Sequence, residues 1–255
     1  VLIYEVIAMA DWQESRVIDK KVWNDELFSL TFDTELLPFK AGQFIKVGLE
    51  VDGERVERPY SLVNAPDEKP GEIYFNLVDE GPLTCELANI KPGDRIWVTR
   101  DAHGFLVLEE VPETRHLWMM ATGTGLGPFL SMLASGEAIA RFDKLVLVHG
   151  VRYERDLSYR DRIEEISAEM GDKFNYLPII SRENSQNALS GRITHLIENG
   201  ELEQKAGSQI SAEESHVMLC GNINMIRDVI ALLEPRGMKK HKRFDPGHIM
   251  MEKYH

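Results

Sequence analysis

The chain of 255 residues reads as two folded units in series: an antiparallel β-barrel or sandwich, then an α/β unit built on a parallel sheet. Three observations predict this. The first hundred residues carry short alternating strands separated by turn signals. After about Pro112 the rhythm changes to compact apolar strands alternating with helical patterns. The length suits two domains of ordinary size. The expected boundaries are 9–110 and 111–255, with Met9 a candidate natural start that would make residues 1–8 an upstream extension.

In the first unit, residues 27–32 alternate cleanly and residues 44–51 more loosely, and Asp52-Gly53 then makes a hairpin turn. Residues 73–78 and 95–98 are further strands, with Lys91-Pro92-Gly93-Asp94 a turn before the latter. One short helix interrupts at 83–89. In the second unit, strands are predicted at 117–121, 145–150, 174–180 and 216–220. Helices are predicted from the glycine-rich turn to about Ala140, and at 159–170, 193–199 and 224–233.

Composition narrows the function. A net charge of −13 argues against general nucleic-acid binding, which needs a basic face. No apolar run reaches membrane-spanning length. Cys85 and Cys220 are too few for a disulfide framework or an iron–sulfur cluster, so a reducing cytoplasm is expected. No His or Cys pair has metal-ligand spacing, so no metal site is expected. A nucleophile elbow Gly-x-Ser-x-Gly is absent.

Several stretches carry chemistry. In "ATGTGLGPFLSML" a strand runs through Gly123 and Gly125 into a helix, which lets backbone approach a phosphate or ring closely. It is neither a Walker A loop nor a G-x-G-x-x-G fingerprint, and by itself it is equally a tight strand-to-helix turn. Arg152, Arg182 in "IISRE" and Arg192 in "LSGRI" stand at element ends. Arg152 and Arg182 follow parallel strands, where open α/β sheets bind ligands. Guanidinium groups there suit a ribose 2′-phosphate, whereas three solvated arginines are the plain alternative. "CGN" ends the 216–220 strand, where Cys220 is ordinarily a small core residue. "RPYSLVNAP" packs a cation, an aromatic ring and a hydroxyl into one stretch with a proline inside, which also reads as an edge strand with surface Arg and Tyr.

Taken together, Arg58-x-Tyr60-Ser61, "GTGLGP", "SR", "SGR", "CGN" and the ending Glu252-Lys253-Tyr254-His255 resemble the ferredoxin–NADP⁺ reductases, most of all the bacterial ferredoxin/flavodoxin type. The resemblance runs over nearly the whole chain from about Ala10. It implies an FAD-binding barrel and an NADP-binding α/β unit, with a hydride passing between NADP(H) and FAD and single electrons between FAD and ferredoxin or flavodoxin.

On that resemblance Arg58 pairs with the FAD pyrophosphate, Pro59 sits at a sheet edge, Tyr60 stacks on the flavin and Ser61 hydrogen-bonds near its N5. In "GPLTCEL", Gly81 allows close approach, while Pro82, Leu83 and Thr84 present a helix start to the pyrophosphate, with Thr84 its cap. Tyr74 lies by the adenosine half and Thr124 against the flavin. Tyr254 covers the flavin face and His255 follows it, where a larger ring is usual in the bacterial type. Gly123, Gly125, Arg152, Ser181, Arg182 and Arg192 hold NADP; Ser61, Cys220 and Glu252 serve the reaction.

The basic run Lys239-Lys240-His241-Lys242-Arg243 offers Lys239, Lys240, Lys242 and Arg243 to an acidic partner, or is a solvated loop; the protein is expected to be a monomer. Two other functions stay open on the sequence: an NAD(P)H-dependent flavin reductase or oxygenase reductase component, and a non-enzymatic nucleotide-binding regulator on the same scaffold.

Overall fold

The structure, a computed structural model, describes residues 11–254. The expectation about residues 1–8 therefore lies outside the described residues, as does the one about His255.

The first unit is a curled antiparallel sheet of six strands: β1 (Trp12–Val22), β2 (Leu27–Phe32), β3 (Phe44–Val51), β4 (Glu54–Ser61), β5 (Gly71–Asn76) and β6 (Arg95–Thr99). Their spatial order is β4-β3-β6-β1-β2-β5. The curl brings the two ends together, where Leu62 bridges Ile73 and Val63 N–H donates to the Glu72 carbonyl at 2.9 Å. The hairpin between β3 and β4 turns on Asp52 and Gly53, both at positive φ, as the Asp-Gly pair predicts. Helix α1 (Pro82–Asn89) packs against β3 and β4 and closes the barrel with buried Leu83 and Leu87.

Strand β1 was not anticipated, because WQESRVIDKKV has only Ser15 and Val17 buried and so little alternation to read. Strand β2 is buried on both faces. Phe28, Leu30 and Phe32 fill the barrel, while Leu27 and Ser29 turn to the second unit.

The second unit is a parallel sheet: β7 (His116–Thr122), β8 (Lys144–Val151), β9 (Phe174–Ile180), β10 (Leu189–Ser190), β11 (Ser215–Asn222) and β12 (Ile249–Tyr254). Its order is β10-β9-β8-β7-β11-β12. Helices α2 (Gly127–Ala134), α3 (Glu137–Arg141) and α4 (Arg160–Met170) cover one face, and α5 (Ile193–Glu198), α6 (Glu201–Ala206) and α7 (Ile223–Leu233) the other. The sequence reading lacked β10 and α6, and two further features depart from it. The helix expected to run to Ala140 stops at Gly136, whose φ of +73° breaks it into α2 and α3. The C-terminal tail is a sixth parallel strand, β12, paired to β11 from Val217↔Ile249 to Asn222↔Tyr254.

A polar seam joins the units. Ser29 and Tyr159 share a hydrogen bond of 2.6 Å, Tyr159 O–H lies 2.7 Å from Glu72 Oε1, and Arg162 reaches both Glu68 and Glu72. Ser131 donates to the Asn64 carbonyl at 2.7 Å. Among the described residues no helix is long and apolar enough to cross a membrane.

Candidate active site

The sheet order reverses between β7 and β11, so the crevice at their carboxyl ends is where an open α/β sheet offers a site. Gly123–Leu126 forms a tight turn directly after β7, with Gly123 at φ +53°. A Cβ on Gly125 would fall 2.6 Å from the Cys220 carbonyl carbon, so only glycine lets this turn lie on β11. Cys220 itself is fully buried and stands in register between Ala121 and Glu252.

The first unit enters this crevice through β4. Along the strand Arg58 and Tyr60 alternate onto one face and Ser61 onto the other. Ser61 is buried, and its hydroxyl donates to Glu252 Oε1 at 3.0 Å, linking the first sheet to β12 of the second. Burial pushes the Glu252 carboxyl up to about 7, against the pull of the Ser61 hydrogen bond. Gly104 also lies here: a Cβ on it would meet Phe44 at 3.1 Å and Glu252 Oε2 at 3.3 Å. Ser61, Cys220, Glu252, Thr124 and Gly125 are thus brought together, although they come from both units.

On the other face of β4, Arg58 is exposed and its guanidinium touches only the Glu57 carbonyl, at 2.7 Å, among the described residues. Tyr60 packs edge-on to Phe75 with ring centroids 6.1 Å apart. Its hydroxyl is buried and has no hydrogen-bond partner among the described residues, and burial raises its pKa. Pro59 lies on an edge strand, where its missing N–H costs no ladder bond. Helix α1 begins beside this face with Pro82 in its first turn and no side-chain cap. A buried hydroxyl without a partner, an exposed guanidinium and an uncapped helix start fit an elongated diphosphate-bearing ligand such as FAD.

Several expected contacts need correction. Thr84 does not cap α1; Gly81 holds that position, and the Thr84 hydroxyl accepts from Val78 N–H at 3.1 Å. Gly81 makes room for its own loop, since a Cβ there would press on Thr84 Oγ1 at 2.7 Å and the Val78 carbonyl at 3.0 Å. The Leu83 side chain is in the barrel core, leaving only its backbone to a ligand. Tyr74 is 3% exposed, packs edge-on to Tyr159 and donates to Ser158 Oγ at 2.9 Å. It therefore belongs to the seam and shows no face to an adenosine.

Arg152, Arg182 and Arg192 gather at the far end of the crevice. Arg152 and Arg182 follow β8 and β9 and are tied by Arg182 N–H to the Arg152 carbonyl at 2.9 Å; Arg192 starts α5 just after β10. All three are exposed, and none makes an ion pair among the described residues. Ser181, next to them, has its hydroxyl on the Val151 carbonyl at 3.1 Å.

The basic run is only partly free. Lys239 pairs with Asp245 at 2.6 Å and Lys240 with Glu234 at 3.8 Å, so within this run Lys242 and Arg243 are the cations with no ion pair among the described residues. Sequence reasoning also missed His149, a histidine inside the apolar run "LVLVHG". It is fully buried under the glycine turn, with Nε2 3.2 Å from the Gly123 carbonyl and Nδ1 3.4 Å from the Tyr176 hydroxyl. Burial pushes its pKa down to about 4, so it is neutral, and the carbonyl acceptor requires the proton on Nε2.

Two family models match the chain: "Oxidoreductase FAD-binding domain" over residues 16–101 and "Oxidoreductase NAD-binding domain" over residues 119–230. The flavodoxin/ferredoxin–NADP reductase of Escherichia coli (strain K12) is 50% identical over 247 residues, which are 96% of this chain and 100% of that relative. The ferredoxin–NADP reductase of Pseudomonas aeruginosa is 36% identical, over 96% of this chain and 98% of its own length. A crystal structure of a ferredoxin NADP⁺ reductase from Neisseria gonorrhoeae with bound FAD and NADP superposes with a TM-score of 0.90 at 32% identity, over 96% of this chain and 99% of that one.

Proposed function

The chain belongs to the flavodoxin/ferredoxin–NADP reductase family, and from that premise we propose how its own residues carry the chemistry. It is a flavoenzyme that passes a hydride between NADP(H) and FAD and single electrons between FAD and a ferredoxin or flavodoxin. In this reading residues 9–110 hold FAD and residues 111–255 hold NADP(H), and the enzyme works as a cytoplasmic monomer.

When bound, FAD supplies the step that no side chain can, the conversion between two-electron and one-electron transfer. The chain's residues bind and orient. Arg58 holds the pyrophosphate, helped by the start of α1 with the backbone of Gly81, Pro82, Leu83 and Thr84. The Tyr60 hydroxyl, buried without a partner among the described residues, supports a hydrogen bond from that side of the ligand. Tyr254, at the end of β12, is assigned to the flavin face, with His255 beyond it. Gly123, Thr124 and Gly125 give the dinucleotide a backbone surface, propped from below by neutral His149. Arg152, Arg182 and Arg192, with Ser181, bind the NADP phosphates; their lack of carboxylate partners supports this. Cys220 fixes the floor of the crevice.

The single observation that carries the reading is the Ser61–Glu252 hydrogen bond of 3.0 Å at the junction of the two sheets. A serine hydroxyl there can donate to a developing negative charge, and Glu252, with its carboxyl raised to about 7, can hold a proton at Oε at neutral pH. In single-turnover reduction by NADPH, Ser61→Ala should slow flavin bleaching at least tenfold while NADPH affinity stays the same. Normal bleaching in that variant would remove the role. For the partner, Lys242 and Arg243 are the cations of the basic run available to an acidic surface, with Lys239 and Lys240 shielded by their own carboxylates.

A further inference from the structure

We propose that Phe105 and Phe244, bracketing the Arg243 guanidinium, are the apolar anchor on which a small acidic electron-carrier protein docks. The proposal rests on the reductase reading above and names the surface which that reading requires.

Phe105 is 64% exposed and Phe244 91% exposed; every other phenylalanine among the described residues is buried or half-buried. They converge from distant parts of the chain. The Arg243 guanidinium carbon lies 5.7 Å from the centre of the Phe105 ring and 5.5 Å from that of Phe244. A cation between two rings is an attractive arrangement that still leaves the outer ring faces to solvent.

The platform is built rather than loose. Lys242 N–H donates to the Asp245 carbonyl, and Asp245 N–H to the Lys242 carbonyl, both at 3.0 Å, which closes a two-residue turn with Arg243 and Phe244 at its tip. Below the turn, His241 N–H donates to the Ile249 carbonyl at 2.7 Å, and the His241 ring packs edge-on to His216 at 5.9 Å. A partner binding such a tip has little left to order.

Position and charge choose the occupant. Phe105 directly follows Gly104, which packs against Phe44 and the Glu252 carboxylate. A redox protein seated on Phe105 is therefore adjacent to the candidate active site, as short-range electron transfer demands. The chain as a whole carries −13, yet Lys242 and Arg243 hold this tip positive, so the complementary surface is an apolar spot rimmed by carboxylates. A second copy of this chain is disfavoured, because a two-fold contact through this patch would set Arg243 against Arg243.

The test uses the FAD-loaded enzyme and an acidic bacterial flavodoxin as the probe. Binding of oxidised flavodoxin is measured by calorimetry at several salt concentrations, together with NADPH-driven reduction of flavodoxin and of ferricyanide. The double variant Phe105→Ala/Phe244→Ala should raise the Kd for flavodoxin about tenfold, or about 1.4 kcal/mol, with an unchanged salt slope and wild-type ferricyanide reduction. Arg243→Glu should raise the Kd and flatten the salt slope. An unchanged Kd in the double variant, with wild-type binding measurable, overturns the proposal. So does sedimentation showing that the wild type self-associates through this face and that Phe244→Ala dissolves the assembly. A wild-type enzyme that reduces ferricyanide but neither binds nor reduces flavodoxin or a ferredoxin overturns the underlying reductase reading instead.

Discussion

Replacing Glu252 by glutamine tests the electrostatics of the junction directly. Burial takes its carboxyl from the ordinary 4.5 to about 7, so the folded protein holds this proton more tightly than the unfolded chain. A raised carboxyl gives stability that is fully present below about pH 4.5 and is lost as pH rises through about 7. The whole shift is worth about 3 kcal/mol at most, at about 1.36 kcal/mol per pH unit. Most of that is gone by pH 6, and the wild type should lose roughly 1 kcal/mol more from this group between about pH 6 and about pH 8.

Glutamine keeps the shape and still accepts the Ser61 hydroxyl through its carbonyl, but it cannot ionise. Any fixed cost of the amide is the same at both pH values and cancels. In urea titrations of the FAD-loaded protein, the stability of Glu252→Gln relative to wild type should therefore improve by roughly 1 kcal/mol from about pH 6 to about pH 8. Parallel pH profiles for the two proteins would refute the argument, and with it the picture of a carboxyl kept protonated at the junction.

Three further outcomes are expected. Arg182→Ala should remove one charge-assisted contact worth on the order of 1.5–3 kcal/mol, raising the KM for NADPH about tenfold or more while leaving NADH nearly untouched. Equal losses with both coenzymes would disprove the 2′-phosphate assignment. Gly125→Ala forces a methyl group onto the Cys220 backbone, which cannot yield as a side chain could. It should cost about 1–3 kcal/mol and weaken NADP⁺ binding, so an unchanged Tm with unchanged affinity counts against the close approach. Tyr159→Phe leaves Glu72 Oε1 and Ser29 in the seam without their shared hydroxyl, at a cost of about 1–3 kcal/mol. Because burial already raises the Glu72 carboxyl and Tyr159 opposes that rise, the deficit should grow as pH climbs past the carboxylate range. A deficit that shrinks with pH would contradict the assigned bond.

The resemblance on six short stretches already carried the two-unit architecture, the cofactors and the reaction. Local pattern supports it wherever an element's own residues decide its form. Asp52-Gly53 turns a hairpin because its two residues accept positive φ, and FNYLPII is a strand with the bounds read from its own run. Where an element takes its form from neighbours, the sequence was silent. Strand β1 is mostly exposed and is held by β2 and β6 on either side, and the tail becomes a strand because β11 offers it an edge. Side-chain placement went the same way. Arg58 and Ser61 could be singled out as chemistry-bearing residues, but that Ser61 bonds Glu252 depends on two sheets meeting across 191 positions of chain. Tyr74 looked like a ligand contact until packing enclosed it against Tyr159, and Lys239 and Lys240 looked available until Asp245 and Glu234 neutralised them. Residue identity alone sets which backbone turns are permitted and which side chains carry charge or hydroxyls. Which of those groups face each other and which are buried follows from the packing of the two units, because burial and pairing are properties of distance in space and not of distance along the chain.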